Sequence, residues 1–190
     1  MPPVLATPRL VLRPLSLADA DEIQRLFPQW EIVRYLDAIV PWPFPPGSVL
    51  EHLRDSALPA MERGEAWHWT LRLQTAPQQM IGRIHLARGD RNNRGFWLVP
   101  EHHCQGLTTE AVVAANDYWF DVLGFSVLRA PKAVANTASR RISEKTGMRM
   151  VESFEKEYVS GRFPSEMWEI TADEWHAVRP RWPWTTAILR

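Results

Sequence analysis

The chain has 190 residues, enough for one full hydrophobic core and short for two, so one domain is expected. Lysine plus arginine equals aspartate plus glutamate at 22 each, so no net field selects nucleic acid or a membrane surface as a partner. The single cysteine, Cys104, excludes an intramolecular disulfide. No Cys/His cluster at metal-ligand spacing, signal-peptide start or long apolar span stands in the sequence, and the expectation is a cytoplasmic protein without a metal.

In chain order, Leu10-Val-Leu-Arg alternates as a strand that Pro14 ends, and acidic residues from Asp19 open a helix through Ile23, Leu26 and Phe27. A second short helix holds Ile32, Val33, Tyr35 and Leu36. The proline-rich run 41–47 excludes helix and central strand, leaving an extended loop that carries Trp42 and Phe44. It is either a stiff connector or a wall of a cleft. A third helix runs from Ser48 to about Arg63 and stops at Gly64. Trp67 to Leu73 alternates strictly, Met80 to Leu86 follows after a turn, and Gly95 to Val99 completes three antiparallel strands in a row.

After Pro100 comes a polar loop, then a helix with Leu107, Ala111, Ala114, Ala115, Tyr118 and Val122 on one face, closed by Gly124. A loop that enters a helix this way aims free backbone N–H groups and the positive end of the helix dipole at one spot, the requirement of a pyrophosphate, and Gly106 allows close approach. Phe125 to Val134 reads as a strand whose Pro131 cannot donate to a ladder, so one side of it should be unpaired there. Asn136 caps a short helix that Gly147 closes, and Arg149–Val159 with Glu166–Thr171 forms a hairpin around Ser160–Ser165. The tail 177–190 is either disordered or covers a groove or a second subunit, so monomer and homodimer both stay open. Most of the ten tryptophans should fill the core.

Three segments together resemble the GNAT superfamily of N-acetyltransferases, and within it the RimJ/RimL branch: Thr7-Pro-Arg-Leu-Val-Leu-Arg-Pro14, Pro100-Glu…Gly106-Leu-Thr-Thr-Glu-Ala111, and Asn136-Thr-Ala-Ser-Arg-Arg…Glu-Lys-Thr-Gly147. The resemblance runs from Thr7 to about Glu174, so an acyltransferase domain is expected over 1–176. It implies an α+β fold, a mixed, mostly antiparallel sheet of about seven strands flanked by helices, with a splayed parallel pair where the pantetheine arm of acetyl-CoA enters. It implies that His103, Cys104, Gln105, Gly106, Leu107, Thr108 and Thr109 meet the pyrophosphate, that Leu98 and Val99 pair with the arm as an added strand, and that Asn136 and Ser139 line the arm and thiol. His103 and Thr108 depart from the family's loop pattern.

Amine attack on a thioester needs a neutral amine, an oxyanion donor and a proton for the leaving thiolate. The family's tyrosine acid falls on Ser143 here, and its glutamate base on Asn93, which cannot take a proton. Ser143, Ser139 and His85 are the catalytic candidates; Glu31, Tyr35, Trp42, His68 and Asn93 are candidates for the acceptor side. An α-amine, with a pKa of about 7.7–8.0, is roughly one-tenth neutral at pH 7, whereas a lysine amine near 10.4 is almost fully charged. The expected reaction is acetyl transfer to a peptide or protein N-terminus. A small aromatic or cationic amine as acceptor, and a non-catalytic acyl-CoA-binding protein, are the alternatives.

Overall fold

The central sheet follows from the alternation of side chains in successive segments. The computed structural model describes residues 1–189. Its strands are β1 (Val4–Ala6), β2 (Leu10–Pro14), β3 (Ala66–Leu73), β4 (Ala76–Ala87) and β5 (Arg94–Leu98), then β6 (Val127–Ala133), β7 (Arg149–Tyr158), β8 (Gly161–Thr171) and β9 (Ala187–Leu189). The helices are α1 (Ala20–Leu26), α2 (Trp30–Val33), α3 (Ser48–His52), α4 (Leu58–Glu62), α5 (Leu107–Asp117), α6 (Thr137–Lys145) and α7 (Ala172–Val178).

Six strands form one antiparallel sheet in the order β5-β4-β3-β2-β1-β9, and three form a second in the order β6-β8-β7. Nine strands in two sheets thus replace the expected seven or so in one, because β5 and β6 make no ladder and because both ends of the chain add a short strand.

On β3 the residues Trp67, Trp69 and Leu71 lie on one face, where Trp69 meets Tyr118 and Trp67 meets Trp119 edge-on. Helix α5 is buried along most of its length, so its alanines permit close packing. The opposite, polar face of β3 is also buried, with Arg72 only 2% exposed. A buried guanidinium is costly unless paired, and Asp19 and Glu22 lie within 3.0 and 3.3 Å of Arg72. The helix expected over 48–63 is interrupted by a π-type turn at Leu53–Ala57. Pro59 follows just after it and has no N–H for an i−4 bond.

The second hairpin has a tighter turn than its sequence suggests. Tyr158 pairs with Gly161, so Arg162 to Ser165 belong to the β8 ladder and only Val159 and Ser160 turn. Their N–H groups donate to Leu36 and Arg34 carbonyls, which fixes the hairpin tip to the end of α2.

The C-terminal segment is part of the fold. Asp117, at the end of α5, accepts from both arms of Arg179 at 2.6 and 2.8 Å, from Thr186 at 2.6 Å and from the Trp175 indole at 3.3 Å. Trp182 stacks on Trp175, and β9 pairs antiparallel with β1. Truncating Asp117 leaves Arg179 without its counter-charge, so Asp117→Ala is expected to lower the free energy of unfolding by about 3 kcal/mol. Urea denaturation measures this; a loss under about 1 kcal/mol, typical of a surface pair, would show that the hub is not what holds the tail.

Candidate functional site

The site begins where β5 and β6 part. The Asn93 N–H donates to the Arg129 carbonyl at 2.7 Å, and its side-chain oxygen accepts the Arg129 N–H at 2.8 Å. Three residues further along both strands, the Lys132 ammonium lies over the Phe96 ring, 4.9 Å from its centroid, so the strands run in the same direction. No ladder joins them beyond the clasp.

Register decides which backbone groups face the opening. The Val99 N–H donates to Ile81 on the β4 side, and Arg83 faces Trp97 while His85 faces Gly95. Hydrogen-bonding direction alternates along a strand, so Phe96 and Leu98 turn their backbone toward the gap and Val99 turns its N–H away. This amends the expectation for Val99. The Leu98 carbonyl is covered by the His103 ring at 2.8 Å. On β6, the Val134 N–H donates to Pro164, so Pro131 belongs to the gap-facing set and its missing N–H costs no ladder bond.

The loop after β5 makes a short 3-10 turn at Pro100–His102, then passes through Cys104 and Gly106, both left-handed with φ of 59° and 77°. From Cys104 to Thr109, no backbone N–H donates to an acceptor among the described residues; the first that does is Glu110, to Gly106. Six consecutive free donors at the start of an 11-residue helix form an anion-binding concavity. The Thr7-Pro-Arg9 segment braces it: Arg9 donates to the Gln105 carbonyl at 2.9 Å and to Glu110 at 2.7 Å, and Thr7 donates to Glu110 at 2.6 Å. The Gln105 side chain itself points back to the Glu101 carbonyl.

Helix α6 turns Ser139 and Ser143 inward. Asn136 uses its side-chain oxygen to accept the Ser139 N–H at 3.2 Å, so the asparagine is a cap here. Ser143 is fully buried with its hydroxyl unpartnered. An orphaned hydroxyl costs about 1–3 kcal/mol, and it sits on the helix that follows the gap-lining strand. Its hydroxyl is thus left without a partner among the described residues.

The other side of the sheet, under α1–α4, carries His68, Arg83 and His85. The ring of His68 accepts from Arg83 at 2.7 Å, and the two imidazoles are 5.1 Å apart. His85 lies against Gly95, where an added Cβ would come within 2.3 Å of the ring, so glycine is required. Burial, then Arg83, His52 and Lys132, push the His85 pKa down to about 3; burial and Arg83 depress His68 further. Both rings are neutral at physiological pH, and His85 is a much weaker base than expected. Asn93 has its amide donating to Ala87 and Gly89 carbonyls, so it clasps strands and offers nothing to an acceptor.

Trp42 and Trp30 are each 42% exposed and their rings meet at 5.6 Å, while Phe44 packs on Phe27, which meets Trp97. Tyr35 meets Phe163 edge-on and Glu31 is exposed. Sequence periodicity did not single out Phe96 or Lys132. The Lys132 pKa is lowered to about 7 by burial and then by Arg94. A groove of about 670 Å³ lies elsewhere, between Tyr118, Val122 and the C-terminal segment, and shares no residue with the loop.

Two outcomes follow. Arg9→Ala is expected to weaken acetyl-CoA binding about tenfold, the value of a charge-assisted hydrogen bond, whereas Gln105→Ala, which keeps the carbonyl that Arg9 holds, leaves it unchanged; calorimetric titration distinguishes them. Because the unfolded histidines take up protons below about 6.5 and the folded His85 does not until about 3, their contribution to stability is complete above about 6.5 and falls as pH drops toward 3. The slope is at most about 1.4 kcal/mol per pH unit for each histidine. Urea midpoints across pH 4–7 should flatten in a His68→Gln/His85→Gln variant.

Comparison with known proteins agrees with this geometry. The family model described as an acetyltransferase (GNAT) domain matches residues 9–149. An uncharacterized N-acetyltransferase of Bacillus subtilis (strain 168), YoaA, is 30% identical over 157 residues, 76% of this chain and 82% of that protein. RimL, a ribosomal L7/L12 alpha-N-protein acetyltransferase solved in complex with coenzyme A, superposes with a TM-score of 0.75 at 15% identity, over 88% of this chain and 97% of its own. A spermidine N-acetyltransferase from Vibrio cholerae, solved with CoA and spermine, gives 0.74 at 20% identity over 90% and 99% of the two chains. A gap with unpaired backbone, a donor-rich helix start and a match over most of the chain converge: the chain belongs to the GNAT family and is an acetyl-CoA-dependent N-acetyltransferase.

Proposed function

We propose that the acceptor is the α-amine of a peptide or protein N-terminus, acetylated by direct attack in a ternary complex. Proton affinity carries this reading. Asn93 is occupied as a clasp and His85 is held near 3, so neither removes a proton from an ammonium at neutral pH. Lys132, whose ammonium lies over the Phe96 ring at the gap, has its pKa lowered to about 7 by burial and Arg94. That is within about one unit of an α-ammonium and more than three below a lysine ammonium, so the available chemistry matches the first acceptor and not the second.

In this reading, the free N–H groups from Cys104 to Thr109 hold the diphosphate, and the gap-facing backbone of Phe96 and Leu98 takes the amides of the pantetheine arm. The chemistry supplied by acetyl-CoA is an acyl group on a thiolate leaving group. The wall of the acceptor side is Trp97, Phe27 and Phe44, with the hairpin tip fixed across the end of α2. The fold similarity to RimL supports the reading. The similarity to a spermidine acetyltransferase keeps small amines as the second reading, favoured by the exposed Trp30/Trp42 pair as a platform for a cation.

Thiol release from acetyl-CoA with N-terminally free peptides, run beside polyamines and aminoglycosides, tests the choice. Saturable release with peptides alone is expected, with kcat/KM rising through the pKa of the peptide amine, near 8, and moving with it when the first residue is changed. Release with polyamines alone would replace this reading with the second.

A further inference from the structure

The acceptor side holds one more fixed positive charge than it can pair. Facing α1 from the sheet are Arg13, Arg72 and Arg83, and the carboxylates that meet them are Asp19 and Glu22. Both are engaged. Asp19 accepts from Arg13 at 2.8 Å and Arg72 at 3.0 Å, and also holds the Ser16 hydroxyl and N–H. Glu22 takes Arg72 at 3.3 Å and the Met80 N–H at 2.9 Å.

Arg83 is left over. Its one polar contact among the described residues is to the neutral His68 ring, and its Nε is buried without a partner. Lys132, which acts on the same His85, adds to the imbalance, because Glu166 opposite it in the β6–β8 ladder is held by Arg140 at 2.8 and 3.1 Å and by the Trp168 indole. His52, on α3, is also near Arg83 and has its charged form disfavoured by burial and by that guanidinium. A guanidinium drawn from water with donors unused is costly, and its planar fork is shaped for a carboxylate.

We infer that Arg83 receives a carboxylate of the acceptor, so that the preferred substrates are amines carrying an acidic group close to the amine. For a peptide this means aspartate or glutamate in the first positions, and polycationic amines are disfavoured by the same charge. The inference rests on acetyl transfer to an α-amine, but a carboxylated acyl chain on the donor presents the same chemistry, and the test separates the two.

The experiment uses the full-length protein, wild type, Arg83→Gln and Arg83→Lys, with acetyl-CoA and peptides that differ only in Asp, Ala or Lys at the second position. The expected wild-type order of kcat/KM is Asp, Ala, Lys, with about tenfold between the first two, the value of a charge-assisted contact. The Asp-over-Ala ratio falls to about one in Arg83→Gln and survives in Arg83→Lys. A ratio unchanged in Arg83→Gln, as a purely structural arginine would give, or a wild-type preference for the Lys peptide, overturns the inference. An Arg83-dependent preference for succinyl-CoA over acetyl-CoA with the Ala peptide, without one for the Asp peptide, keeps the anion site and moves the carboxylate to the donor. A readout independent of turnover is calorimetric titration of the CoA-loaded protein with succinate and with putrescine. Succinate binding in wild type and Arg83→Lys but not Arg83→Gln upholds the anion site even if no peptide is acetylated, in which case the α-amine reading fails alone. Binding of putrescine, or of neither, overturns it.

Discussion

The structure depends on one asparagine at the point where two parallel strands separate. Asn93 has its side chain bonded to Ala87, Gly89 and Arg129, and its own N–H donates to Arg129, so β4, β5 and β6 are held together at that level, and beyond it β5 stays laddered to β4 but not to β6. Past the clasp, Pro131 has no N–H to give and the Leu98 carbonyl is covered by His103, so two of the groups that would join the strands are missing from a ladder between them. Unpaired backbone in a protein interior is normally a defect. Here it leaves a gap between two parallel strands, and the clasp is what shuts it at one end.

Around that gap the carboxylates serve structure. Glu110 is occupied by Thr7 and Arg9, Asp19 by two arginines, Glu166 by Arg140 and Asp117 by the tail. What the loop offers an anion is therefore its free backbone donors and not an unpaired side-chain charge. Two residues of left-handed backbone, Cys104 and Gly106, leave six N–H groups pointing outward. A cationic surplus, at Arg83, sits on the acceptor side.

What was legible in the sequence was what local pattern determines. The alternation of Trp67 to Leu73, the glycine before α5 and the proline in β6 each have one physical consequence whatever surrounds them, and each stands in the fold as read. Side chains whose roles are set by partners far along the chain were not legible. Asn93 is chosen by Arg129, His85 is silenced by burial and then by Arg83, and Val99 turns away because of its register with Ile81. Ser143 and Asn136 were placed on the correct helix, but whether a hydroxyl is free or sealed depends on packing that no spacing encodes. The tail was the same kind of case, since Arg179 meets its aspartate across 62 residues.

The pairing of β9 with β1 has a consequence for how the molecule comes together. These two strands join Leu5 to Ile188 through only three residues on each side. Closing a loop of roughly 180 residues carries an entropy cost that so short a pairing does not offset alone. The edge therefore closes only on a sheet that has already formed, and it is held there by the Asp117 hub at the far end of the helix that starts at the donor loop.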